Sequence, residues 1–99
     1  MSTQSDIAVD TKVTVKEPGQ YNVIYLNDEK TTMQFVAESL IVHFEYDEVA
    51  AMEKVFEVHQ KGSAVVATLP YELAEQKGVE VTLDARKQGF PLQVKVEAE

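Results

Sequence analysis

The sequence predicts an α+β protein of order β-α-α-β-α-β, a small sheet laid against helices. Three observations predict it. A compact β-rich run, YNVIYL at 21–26, ends in the turn chemistry of Asn27 and Asp28. Two apolar stretches at helical spacing follow, each opened by a capping residue. An alternating run, PLQVKVE at 91–97, closes the chain after Gly89 and Pro91 have stopped what precedes it.

The elements can be justified in order. Thr31 and Gln34 have the T-x-x-Q spacing of a capping box, so a helix is expected from Thr32 onward. Met33, Val36, Ala37, Leu40, Ile41 and Phe44 share one face of it, while Phe35 and Val42 lie opposite. This helix is therefore expected to be covered on two sides. Asp47 caps a second helix over DEVAAMEKVFEVHQK, which Gly62 ends by supplying a left-handed stop. Val49, Ala51, Met52, Val55, Phe56 and Val58 fill its apolar arc, with His59 inside that arc and Glu53, Lys54, Glu57 and Gln60 outside it. SAVVATL at 63–69 is so continuously apolar that it is expected at the centre of the sheet. PYELAEQK then starts a third helix, with Pro70 tolerated in the first turn and Glu72 and Glu75 near the positive helix end. Periodicity leaves residues 78–83 open between strand and continued helix. GVEVTL alternates, yet Leu73, Ala74, Gly78, Val81 and Ala85 also share a helical face.

Composition bounds the function. With 99 residues and 44% hydrophobic content the chain supports one core and one domain, expected over residues 20–99. Residues 1–19 are polar and close on Pro18-Gly19, so they are expected to form a flexible N-terminal extension, within which VTV at 13–15 could pair with a sheet edge. A net charge of −8, nine basic against seventeen acidic residues, argues against nucleic acid and for a basic partner or a cationic ligand. No cysteine means no disulfide, thiolate nucleophile or Cys-ligated zinc. With no signal-like or membrane-spanning run, a cytoplasmic setting is expected and no membrane partner.

Two places could carry chemistry. Asn27, Asp28, Glu29 and Thr31 read as a strand-to-helix turn with a cap, or as a cation site in which an amide oxygen and a carboxylate accept from an ammonium. His59 reads as a satisfied core residue or as a functional one that takes its partner from elsewhere in the fold or from a ligand. Met33 and Val36 open the helix after the polar turn, so a cavity lined by them and by Val55 and Val58 would adjoin it. Catalysis has no good candidate. There is no HxxxH or HxH pair to join Asp28, Glu29 and His59 in a metal site, no G-x-S-x-G around Ser39 or Ser63, and no P-loop or dinucleotide fingerprint. No cofactor is expected.

These residues together resemble a known family. YNVIYLNDEKTTMQFV, VHQKGSAVV, ELAEQK and PLQVKVE are similar to ClpS, the bacterial adaptor that recognises destabilising protein N-termini and hands them to a Clp unfoldase and protease. The resemblance runs without gaps over residues 21–97. It implies a three-stranded antiparallel sheet on three helices, with 78–83 helical. It also implies a non-enzymatic function. Asn27, Asp28 and His59 would bind the free α-amino group of a peptide. Met33, Val36, Val55, Val58 and Leu92, with Thr31 at the rim, would wall a pocket for a first residue that is Leu, Phe, Tyr or Trp. His59 must be neutral at one nitrogen to accept, so binding should weaken as the imidazole charges in acid. Glu72, Glu75 and Lys77 match the surface that docks on the N-terminal domain of a Clp AAA+ unfoldase of ClpA or ClpC type, and the N-terminal extension matches the one that engages the unfoldase pore. A monomer is expected.

Three positions depart from the family pattern: Glu29 in place of a second Asp, Thr32 in place of Pro, both at the site rim, and Val55 where many members carry Met. The competing expectation is an interaction domain of the same fold, like the C-terminal domain of the ribosomal stalk protein, without an amine pocket. A metal-dependent hydrolase using Asp28, Glu29 and His59 has the least support in the sequence.

Overall fold

A computed structural model describes residues 19–99; the extension expected over residues 1–19, with its VTV piece, lies outside the described residues apart from Gly19. The order is β1 (Gln20–Leu26), α1 (Met33–Phe44), α2 (Glu48–Lys61), β2 (Ser63–Pro70), α3 (Tyr71–Lys87) and β3 (Gln93–Ala98), as the sequence pattern predicts. The strands form one antiparallel sheet of order β2-β1-β3. One expectation about it is corrected: SAVVATL is an edge strand, and β1 is central. Continuous apolar character failed as a marker because β2 buries only alternate residues, Ala64 and Val66, while Val65 between them faces outward. Centrality belongs instead to the strand whose neighbours come from both later parts of the chain. The pairing of β1 with β2 shifts register between Val23 and Ile24, and its pairing with β3 runs from Tyr21 against Ala98 to Leu26 against Gln93.

The helices bury one arc each against this sheet. Val23 and Tyr25 of β1 meet Leu40 of α1, Ala51 and Val55 of α2, and Ala74, Val81 and Ala85 of α3 in one core. The hydroxyl of Tyr25, fully buried, forms a 2.7 Å hydrogen bond with Ser39, whose own hydroxyl lies 2.7 Å from the carbonyl of Val36. A buried polar pair satisfied in this way fixes the rotation of α1 on the sheet. The helical alternative for residues 78–83 is the one observed, within a continuous α3 that buries Ala74, Gly78, Val81 and Ala85. The helix wins because the period-two alternative would have had to bury a different set, and the sheet's two places beside β1 are already filled.

Two helix expectations change. α1 is covered on its Phe35 side, where Phe35 packs edge-to-face on Phe90 at 5.4 Å, but Val42 is 71% exposed. The wheel of α2 is wider in apolar residues than the arc it buries: Ala51, Val55 and Val58 are inside, whereas Val49, Met52 and Phe56 are exposed. The caps at Asp47, which accepts from the Ala50 N–H at 2.8 Å, and at Gly62, with φ of 87°, are those expected.

Candidate functional site: an acidic turn over an apolar pocket

The turn between β1 and α1 is organised by Asp28. Its Oδ1 accepts from the backbone N–H groups of Lys30 and Thr31 at 2.8 and 2.7 Å, and its Oδ2 accepts from the Thr31 hydroxyl at 2.7 Å. This corrects the expected cap. The Thr31 hydroxyl is committed to Asp28, and Thr32 is the N-cap of α1, accepting from the Phe35 N–H at 3.0 Å. The capping-box partner is accordingly unused, and Gln34 donates to Glu38 instead. Two adjacent threonines each offered a cap; the one three residues from Asp28 was claimed by the carboxylate.

Those bonds also set the ionisation of Asp28. Partial burial pushes its carboxyl up, but the N–H and hydroxyl of Thr31, the N–H of Lys30 and the charge of Arg86 together outweigh this and hold it below the ordinary carboxylate value. Arg86 escaped the sequence reading, since nothing local to it points to a turn nearly sixty residues earlier. Its Nη1 also donates to the carbonyl oxygens of Phe90 and Leu92, at 2.8 and 2.9 Å, tying the end of α3 to the approach of β3.

The turn is joined to α2 by a backbone bond of 2.9 Å from the Asn27 N–H to the Gly62 carbonyl. The end of α2 thus stands beside the end of β1, and a pocket of about 320 Å³ opens between them. It is lined by Asn27, Asp28, Glu29 and Thr31 from the turn, Met33 and Val36 from α1, and Val55, Val58 and His59 from α2. The turn contributes polar acceptors, α1 contributes apolar side chains, and α2 contributes Val55 and Val58 together with His59.

Residues separated by up to thirty-two positions in sequence are thereby brought together, and all but a few of the expected ones are among them. Leu92 is 1% exposed and belongs to the core rather than to the lining. Thr32 caps α1 and does not line the pocket either. His59 is exposed, so the core-histidine alternative does not apply; its ring sits on the pocket side of α2, not beneath the helix. Glu72, Glu75 and Lys77 lie on the first turns of α3, away from this pocket. Glu75 accepts from the Tyr71 hydroxyl at 2.6 Å, and Lys77 pairs with Glu80 at 3.9 Å. A larger groove of about 380 Å³ between α3 and β3 is lined by Glu75 and otherwise by small or apolar residues and Thr82, and offers no convergent set of acceptors.

Among the described residues no cluster of His, Asp and Glu is arranged to hold a metal ion, so Asp28, Glu29 and His59 do not form one. Among the same residues, no helix is long and apolar enough to cross a membrane.

Comparison with known proteins identifies the family and agrees with the fold. A family model described as "ATP-dependent Clp protease adaptor protein ClpS" matches residues 16–95. The ATP-dependent Clp protease adapter protein ClpS of Acetivibrio thermocellus is 38% identical over 99 residues, covering 100% of this chain and 100% of its own. That of Campylobacter jejuni is 40% identical over 85 residues, 86% of this chain and 88% of its own. Among solved structures, that of Agrobacterium tumefaciens ClpS2 bound to L-phenylalaninamide is similar with a TM-score of 0.81 at 35% identity, over 84% of this chain and 100% of that one. The relatives are adaptors and not enzymes. With a family model covering most of its length and a relative aligned end to end, the chain belongs to the ClpS family of Clp protease adaptor proteins.

Proposed function

We propose that this adaptor binds the free N-terminus of proteins whose first residue is Leu, Phe, Tyr or Trp and delivers them to a Clp AAA+ unfoldase. The observation that carries the reading is a pocket lined by both acceptors and apolar side chains, in which an ammonium and the side chain borne on the adjacent carbon find matching walls at once. Asn27, Asp28 and His59 supply an amide oxygen, a carboxylate and an imidazole nitrogen for the three donors of an α-ammonium. A carboxylate has about four acceptor positions. Three are occupied by Lys30 and Thr31, so the place left open is on Oδ2, and the turn bonds aim it.

Met33, Val36, Val55 and Val58 would take the first side chain, with Thr31 at the rim and Leu92 supporting the floor from the core. Magnitudes divide the labour. Burying about 150 to 250 Å² of an aromatic side chain is worth about 4 to 6 kcal/mol before ordering costs. One hydrogen bond to a charged group is worth about 1.5 to 3 kcal/mol. Three such bonds to one ammonium are of the same order as that burial, so side chain and amine contribute comparably, and the amine fixes which residue of a chain can enter. At about 320 Å³ the cavity is at the small end of ligand sites and suits one side chain.

Delivery is assigned to Glu72, Glu75 and Lys77, whose place on α3 leaves them accessible to the N-terminal domain of a ClpA- or ClpC-type unfoldase while the pocket is filled. In this reading residues 20–99 act as a monomeric adaptor domain in the cytoplasm.

The test is a fluorescence-anisotropy titration with peptides differing only in the first residue, each with a free or acetylated N-terminus. Acetylation should weaken binding at least about tenfold, since it removes the charge and two donors. Equal binding of the two forms would sink the amine reading.

A further inference from the structure

One flank of α2 is apolar without being buried. Val49 is 71%, Met52 40% and Phe56 50% exposed. Stepping about 100° per residue, His59, Met52, Phe56 and Val49 follow one another around a sector roughly 80° wide that begins at the pocket wall beside Val55. The opposite flank is different in kind: Lys54, Glu57 and Lys61 carry an ion-paired row there, with Lys54 to Glu57 at 2.9 Å and Lys61 to Glu57 at 4.0 Å. The exposed apolar strip is thus continuous with the pocket and confined to the pocket's side of the helix.

Geometry decides what would lie on it. The turn of Asn27, Asp28 and Glu29, fastened to Gly62, closes the C-terminal end of α2 and holds the amine acceptors there. With that end taken up by the turn, the exposed strip toward the N-terminal end of α2 offers an apolar path to a peptide whose first residue fills the pocket. Met52 precedes His59 by seven positions, a rise of about 10 Å along the helix. An extended chain covers that in about three residues at roughly 3.3 Å each.

We infer that Met52 and Phe56, with Val49 at the far end, receive the second and third residues of the bound peptide and make this adaptor favour apolar side chains at those positions. The inference rests on the proposed amine-and-side-chain reading of the pocket and extends it from one residue to three. Phe56 and Met52 suit the role because a flat ring and a flexible thioether cover varied apolar shapes without demanding one of them.

Labelled peptides beginning Leu-Ala-Ala, Leu-Phe-Ala and Leu-Ala-Phe on a common tail, each free and acetylated, are titrated against the parent, Met52→Ser and Phe56→Ser. In the parent, the best Phe-bearing peptide should bind about three- to tenfold tighter than Leu-Ala-Ala. Each variant should reduce that ratio toward one while keeping the parent's free-to-acetylated ratio, which also certifies that it is folded. Equal affinity for all three free peptides in the parent, or a Phe preference that survives in both variants, overturns the inference and leaves the pocket reading intact. Indifference to acetylation in the parent overturns the pocket reading and this one with it. A parent that sediments as a dimer, and as a monomer after Phe56→Ser, overturns it in favour of a second copy on the strip.

Discussion

The Asn27 N–H donates to the Gly62 carbonyl at 2.9 Å, so the two polar halves of the pocket, one after a strand and one at a helix end, are positioned by a single backbone bond. Gly62 can present that carbonyl because it sits at φ of 87°, where an added Cβ meets nothing within 4 Å but the backbone itself resists. Gly62→Ala should therefore cost about 1 kcal/mol in a urea titration through backbone strain alone. It should also weaken binding of a Leu-initiated peptide, because the strain is relieved by moving the carbonyl that holds Asn27.

Acid should act on the turn through Asp28. Asp28 has its carboxyl held below the ordinary value, so the stability it contributes is fully present above the unfolded value of about 3.9 and is lost as pH falls through the lower folded one. Asp28→Asn should narrow its stability deficit only in that acidic window. Urea titrations of the parent and Asp28→Asn at neutral and acidic pH check this: the gap between them should shrink only in acid.

The buried hydroxyl pair predicts an asymmetry. In Tyr25→Phe the Ser39 hydroxyl keeps its bond to the Val36 carbonyl, and the loss should be about 1 kcal/mol. In Ser39→Ala the Tyr25 hydroxyl loses its partner inside the core, and the loss should be nearer 2 to 3 kcal/mol by urea denaturation. Burial also raises the Tyr25 phenol far above its ordinary value. The unfolded chain then gives up a proton above about pH 10 that the native state retains, so stability should fall with rising pH there, and less steeply in Tyr25→Phe.

One substitution should stabilise. Gly78 lies buried in the middle of α3, and a Cβ there would meet Val94 and Val96 side chains at 3.6 and 3.7 Å, ordinary contact distances. Gly78→Ala should raise stability by about 0.5 to 1 kcal/mol in a thermal melt, since helical alanine loses less backbone entropy.

The order of elements was legible in the sequence because Asp47, Gly62, Pro70 and the alternation of β3 each act locally. What was not legible depended on distant partners. β2 looked central because its apolar run could be seen, whereas the sharing of β1 between β2 and β3 could not. Thr31 looked like a cap until the Asp28 carboxylate competed for it. The pocket residues of the turn and of both helices were anticipated, but on a family resemblance; the wheel alone placed His59 inward, and it is exposed. Arg86 and the pair of His43 with Asp84, 2.8 Å apart across forty-one positions, had no local signal at all.

The place of β1 between two partners has a consequence for how the molecule comes apart. Its amides and carbonyls are engaged on both edges, so the strand that leads into Asn27 is released only when the sheet as a whole opens. The acceptors of the turn are thus tethered to a strand whose amides should be among the slowest to exchange. A ligand held there draws on global rather than local opening, and its binding free energy should appear undiminished as protection of the entire domain.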